Sequence, residues 1–529
     1  MDKKNKGIRG VWNRIREWWS GSNKVPQIKA PKRFIRVLLM AFAGKTRRTH
    51  VVLPENFDLS RHKTQYPPEN YGFGDGTVFR DFKVYYILQL LSSIPGRNSD
   101  LITEDGFVPI HTPTLQNHMR DYKMYMDYLV RTEVIICNGI YTPGVKSLGY
   151  KWSAHYENSN FENEELWIGD YTNDSQIDNS EDRINYPYLF HWFDQNKLHI
   201  DERAYGYAEA IRRIKMQDST RASWDWNRDK NQYKNPFTQY VAVLRNISKI
   251  SSQDYEPHID GNVHRLHSVL TNIQKDFRNF ITYDGQQLVG IDIKNCQPYL
   301  TCLILNPGFW DRNSGLPLTL YDLPENIHEL FASEQLMEQV HRYFATLSEN
   351  DIAEYKQLVS SGLIYERIRD IANDQITSEQ GRIERNDAKI LMFYLLFSSN
   401  RGQHDDPMIN NLRRIFATEL YPKVAELFRI LKRNYADCEM EEPHSRLSRM
   451  LQAIESTIML HSCCKRIWDE REHFIPIFTI HDSIVTVQEH DEYVYRVMQE
   501  ELIRHIGLPP RLSVETWNID NLNQDLLRS

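Results

Sequence analysis

The sequence predicts an α+β protein, and three observations carry that prediction. Residues 78–93 (VFRDFKVYYILQLLSS) and 113–130 (PTLQNHMRDYKMYMDYLV) place apolar side chains at helical spacing, residues 286–293 and 474–487 are short β-rich runs, and residues 200–280 are largely helical in pattern. With 529 residues, 41% hydrophobic and 26% charged, the chain is long enough for two to four domains and apolar enough to fill their cores. No apolar run reaches the ~18 residues of a membrane span, and the longest, residues 34–44, still contains Arg36. Six cysteines without a CxxC pair argue against a zinc cluster or a disulfide scaffold and suit a cytosolic protein.

The net charge of −7 hides an asymmetry. Residues 1–50 hold fourteen Lys and Arg against Asp2 and Glu17, a local +12 that leaves −19 on the rest of the chain. A basic arm interleaved with Trp12, Trp18, Trp19 and Phe34 can neutralise phosphates and stack on bases, lie on an anionic membrane surface, or remain a solvated tail. It lacks the pattern of a signal peptide.

Residues 51–76, rich in Pro, Gly, Asn and Tyr, read as a loop or linker. The two helical segments are followed by strand-like EVIICNG and LGYKWS, separated by IYTPGVKS with a Pro-Gly tip and with Lys146 and Lys151 on the hairpin. Helix, helix and hairpin in that order fit a small winged-helix-like domain over residues 51–153, in which one helix enters a groove and the wing touches the backbone; a small α+β module that only packs on the rest of the chain fits as well. Residues 154–183 contain nine Asp and Glu, so 154–200 is expected to be an acidic, extended linker, with the functional domain over 201–529. Cys463 and Cys464 are expected on a buried helix face, Trp224 and Trp226 in the core or on a surface of that domain, and ETWN near residue 515 in a closing strand.

Three segments carry chemistry. In QQLVGIDIKNCQPYLTCLI (286–304), Asp292 lies within a buried strand, where an unpaired carboxylate is expensive and a cation is expected. In FIPIFTIHDSIVTV (474–487), two β-rich runs meet at His481–Asp482, a tight hairpin with an acid at its tip. Two aspartates on adjacent strands can bridge divalent cations about 3.5–4 Å apart, which activates an attacking hydroxyl and stabilises a leaving pyrophosphate. Between them, Arg385, Lys389, Phe393 and Phe397 recur every fourth residue of RNDAKILMFYLLFSSN (385–400), one slowly drifting stripe on a helix. Two cations and two rings on one face suit a nucleoside triphosphate; an amphipathic helix with core Phe residues and solvated cations would read the same way.

The order strand-Asp, cationic-aromatic helix, His-Asp hairpin resembles motifs A, B and C of the family A polymerase superfamily, which includes repair-type DNA polymerases and phage-type single-subunit RNA polymerases. The helix matches the R-x3-K-x3-F-x3-Y/F pattern at all four positions, and HDS matches motif C of the RNA polymerase branch, where the DNA polymerases usually have HDE. GNVHRLHSVLTNIQKDFRNFI (261–281) is similar to the segment preceding motif A, and the resemblance covers residues 200–529.

The resemblance implies a right-hand fold of palm, fingers and thumb, behind the winged-helix-like domain. It implies that Asp292 and Asp482 hold two Mg2+ ions, with the Ile293 carbonyl as a further ligand. Arg385 and Lys389 would grip the triphosphate, and Lys389 would stabilise or protonate the departing pyrophosphate. Phe393 would pack on the sugar and Phe397 gate the templating base. His481, Gln452 and Arg265 would contact primer and template. Where the DNA polymerases have a Glu that blocks a ribose 2′-hydroxyl, this chain has Gln297, and the Tyr that pairs with it is Phe397. Both partners of a hydrogen-bonding pair are replaced together, and Gln297 is still bulky, which favours deoxynucleotides over ribonucleotides.

Residues 51–200 show no carboxylate set for a proofreading exonuclease. The expected function is therefore a DNA polymerase without proofreading, serving a mobile element, virus or plasmid in the host cytoplasm. Its implied partners are a DNA template-primer, nucleoside triphosphates and other replication proteins, with no membrane. The alternatives are a single-subunit RNA polymerase and an inactive DNA-binding replication initiator or regulator.

Overall fold

A computed structural model describes residues 46–527, apart from 75, 143–145, 170–179, 228–229, 231, 376–381 and 472. The basic arm up to residue 45 and the Pro-Gly tip at 143–145 lie outside the described residues.

The chain begins with β1 (Thr46–Pro54), which carries buried Val51, Val52 and Leu53. A short helix, Leu59–Gln65, follows because Asp58 accepts the Ser60 and Arg61 amides, so the expected loop over 51–76 contains a strand end and a helix. Next come α1 (Asp81–Arg97), β2 (Val108–Pro109), α2 (Thr112–His118), α3 (Tyr122–Arg131), β3 (Ile135–Cys137) and β4 (Gly149–Trp152). The helix expected over 113–130 is thus two helices, α2 closing at Met119, whose amide bonds the Leu115 carbonyl, and α3 starting at Tyr122. The three strands form one antiparallel sheet in the order β2-β4-β3.

The acidic stretch departs from an extended linker. Residues 161–169 form β5 (Phe161–Gly169), paired antiparallel with β1 along nine residues, from Thr46 opposite Gly169 to Pro54 opposite Phe161. Residues 46–50, counted with the basic arm, therefore belong to this ribbon. Phe161 is buried against the Phe237 and Tyr240 rings, so an apolar anchor outweighs the local excess of carboxylates. Further on, α4 (Pro187–Asp194) buries Tyr188, Leu189, Phe190, Trp192 and Phe193, and β6 (Leu198–Ile200) joins the main sheet.

After α5 (Arg203–Gln217), the helix α6 (Pro236–Ser251) is buried without a break from Tyr240 to Ile250. The main sheet adds β7 (Ile281–Tyr283), β8 (Gln286–Ile293), β9 (Ile477–Ile480), β10 (Ser483–Val487) and β11 (Leu512–Thr516). Its order is β9-β10-β8-β7-β6, with β11 pairing the other edge of β8. ETWN starts inside β11, as the β-rich ending of the chain suggests. Helix α7 (Cys296–Ile304) leaves β8, and α7 and α8 (Arg385–Phe397) both pack on α9 (Ser445–Ser456), which runs on through a π-wound stretch, Thr457–Cys464, that buries Cys463 and Cys464. No described helix is long and apolar enough to cross a membrane.

Candidate active site

β8 is covered on both edges, and its residues 288–291 are buried, which explains its run of apolar side chains. Asp292 is the penultimate residue, opposite Ser483 of β10 and Ser513 of β11. The β9–β10 connection is the two-residue tip His481–Asp482, and His481 takes the left-handed φ of 54° that such tips favour at their first position. The Ile293 amide points to the Asp482 carbonyl at 3.4 Å, so Asp292 near the end of β8 and Asp482 at the adjacent hairpin tip share one end of the sheet.

Both carboxyl groups hold their protons more tightly than usual. Asp292 is pushed up to about 6 by burial and then by the Asp482 charge, against the opposing pull of Lys294. Asp482 is raised by burial and by the neighbouring Glu455. Among the described residues none forms an ion pair with Asp292 or Asp482, although Lys294 and Lys275 act on Asp292 from further off. Two desolvated, partly accessible carboxylates of like charge suit hard divalent cations that keep water in part of their shell. Among the described residues no cluster of three or more His, Cys, Asp and Glu side chains is arranged around a metal position.

A buried polar cluster, with Glu455 at its centre, adjoins the pair. Glu455, on α9, is 2% exposed. It accepts the Gln297 amide at 2.5 Å, approaches the Cys296 thiol at 3.8 Å and pairs with Arg265 at 2.6 Å. Arg265 is aimed by its own loop: Asp260 accepts the backbone amides of Asn262, Val263 and Arg265, each at 2.8 Å, and Ser456 of α9 ties to the Val263 carbonyl. Sequence reasoning missed Glu455 in favour of Gln452, which is half-buried one turn earlier on the same helix. A signal existed, since a carboxylate among Ala453, Ile454, Ile458 and Met459 is the anomaly that singled out Asp292.

Several polar atoms around the pair have no partner among the described residues. They are both amide atoms of Asn295, which is buried and left-handed (φ 53°), the Gln297 carbonyl oxygen and Nδ1 of His481. Burial, reinforced by Arg265, His267 and Arg278, lowers His481 to about 4, so its ring is neutral at neutral pH. The His267 ring packs edge-on against it at 5.9 Å.

The spacing in residues 385–397 yields a two-faced helix. Ala388, Leu391, Met392, Leu395 and Leu396 of α8 are buried, whereas Arg385, Lys389 and Phe393 are exposed and Phe397 is half-buried. Phe393, 40% exposed, is not a core residue. The two rings lie 5.4 Å apart, and the Lys389 ammonium sits 5.7 Å from the Phe393 ring. Arg385 is held by Glu366 at 2.6 Å and lies over the Tyr365 ring. Tyr365, the ring beneath Arg385, is buried. At the far end of α8, buried Lys432 donates to the Leu395 and Ser398 carbonyls, which fixes the turn carrying Phe397.

No protein-family model matches the chain, and no curated protein matches it. Among solved structures, the POL domain of Pol1 from M. smegmatis, in complex with DNA primer-template and dNTP, is similar over 66% of this chain and 73% of that one, at 11% identity and a TM-score of 0.27. A likeness at that level carries no weight for function.

Proposed function

We propose that this chain is a template-directed DNA polymerase of the family A type, without proofreading, that extends a 3′-hydroxyl with nucleoside triphosphates. One observation carries the proposal: Asp292 near the end of β8 and Asp482 at the tip of the neighbouring β9–β10 hairpin lie at one end of the sheet, with both carboxyls raised by burial, Asp292 also by the Asp482 charge and Asp482 by Glu455, while α8 presents an exposed stripe of cations and rings. Asp292, Asp482 and the Ile293 carbonyl would hold two Mg2+ ions, which lower the pKa of the attacking hydroxyl and offset charge on the pyrophosphate. Arg385 and Lys389 bind the triphosphate, and Lys389 offers a proton to the leaving group. Phe393 stacks on the sugar, Phe397 closes over the templating base, and Arg265, His481 and Gln452 line the primer side.

The order helix α1, β2, α2, α3, β3, β4 with sheet order β2-β4-β3 supports a winged-helix reading of the N-terminal module, and hence a replicase of a mobile element, virus or plasmid, acting with other replication proteins in the host cytoplasm. Primer extension by the purified protein tests the assignment. Wild type extends a primer in Mg2+ and Asp482→Asn does not; equal behaviour of the two overturns it.

A second reading, ribonucleotide use, is favoured by one observation. With its amide committed to Glu455, the Gln297 carbonyl oxygen lacks a donor, and a ribose 2′-hydroxyl supplies one. Extension with deoxynucleotides against ribonucleotides, in wild type and Gln297→Glu, separates the two readings.

A further inference from the structure

The N-terminal module shares a core with the rest of the chain. Helix α6 packs against α1 and the β1–β5 ribbon on one side and against α5 and β6 on the other, and its buried residues leave no solvated seam. The loop after α1 is clasped from the other side. Asn227 donates to Asp100, Gln232 to the Ile102 carbonyl and Asn235 to the Glu104 carbonyl, while Arg221 pairs with Glu104. Gly106 takes a φ of 80°, and a Cβ there would meet the Asn235 amide at 3.0 Å, so the close approach requires glycine.

The clasp continues to the paired aspartates. Arg97 at the end of α1 and Lys249 of α6 converge on Glu256. Two residues on, the His258 ring stacks on His267 at 5.6 Å, and His267 meets His481 at 5.9 Å. An unbroken chain of packed groups thus runs from the module to the hairpin tip.

In the module, Arg120 and Lys123 of the helix-turn-helix and Lys146 of the hairpin are exposed and carry no ion pair among the described residues. Two acids of the helix-turn-helix are already paired, Asp121 with Lys83 and Asp127 with Arg131. Ile140 and Tyr141 stand exposed on the same hairpin as Lys146. Cations on a helix-turn-helix with a hairpin next to it match the phosphates and groove of duplex DNA.

Resting on the polymerase reading, we propose that the module is a duplex-DNA reader held rigidly to the polymerase site, so that synthesis starts at a fixed offset from a recognised sequence. A flexibly tethered reader would favour many offsets alike; a rigid one admits only those that place the 3′ end and the reading helix on the correct faces of the duplex.

The test selects duplexes that bind the full-length protein from a randomised pool, then places the enriched sequence at graded distances from a single 3′-hydroxyl at a nick. Extension is expected to be roughly a hundredfold faster at one spacing than about 5 bp, half a helical turn, to either side, with a second maximum about 10 bp away. Arg120→Ala with Lys123→Ala, both exposed, should flatten that profile. A flat profile in wild type overturns the inference, as does failure of any sequence to enrich, which would leave the face to a protein partner. If plain primer-templates are extended normally in those cases, the polymerase reading survives. Failure to extend any template in Mg2+ overturns both.

Discussion

Gln297 donates its side-chain amide to Glu455 across 2.5 Å, and the other oxygen of that carboxylate is held by Arg265 at 2.6 Å. One buried charge thus positions two residues from distant parts of the sequence. Removing one partner of such a pair leaves the other uncompensated, at about 3–5 kcal/mol. Because Arg265 keeps some water contact, Glu455→Ala should cost about 3 kcal/mol, read as a lower denaturant midpoint. Glu455→Gln keeps the shape and should lose less, while still loosening Arg265.

The raised Asp292 carboxyl gives stability a definite pH dependence. Its proton is held more tightly in the folded chain, about 6 against an ordinary 3.8, so the contribution is present at low pH and lost as pH rises through that window. Metal-free protein should lose about 2 kcal/mol from this group between pH 4 and pH 6, most of a full contribution of about 3 kcal/mol. Asp292→Asn should remove that dependence and raise Tm of the metal-free protein at pH 8 by a few degrees, while abolishing primer extension. Mg2+ must displace the same proton, so the Mg2+ needed for extension should rise about tenfold per unit below pH 6.

The exposed stripe of α8 separates function from folding. Lys389→Ala should lower kcat by about a hundredfold, the lower end for loss of a positioned acid, with Tm within error of wild type because the side chain is exposed. Phe393→Ala should raise KM for nucleotides more than it lowers kcat. A loss of several degrees in Tm with either variant would make the stripe a packing surface.

Deletion of residues 1–45 should weaken DNA binding and flatten its salt dependence, since it removes twelve Lys and Arg against two acids. The cut belongs at 45, because residues 46–54 pair with β5 and a deletion to 50 would break that ribbon. Unchanged affinity at low salt would remove the arm from the DNA path.

By itself the sequence determined the segments whose pattern is local. The helical stripe of α8, strand β8 with Asp292 near its end, and the His481–Asp482 tip all follow from periodicity and turn chemistry within a few residues of each feature. What only the tertiary structure decided depends on partners far away in the chain. The acidic stretch pairs with residues 46–54, across more than a hundred positions, and a nine-residue ladder overrides its composition. Glu455 is defined by Arg265 and Gln297, each more than 150 residues distant, and no local pattern can announce such a pairing. Likewise the fusion of the N-terminal module to the main sheet rests on α6, whose sequence reads as one more amphipathic helix until both of its faces are covered.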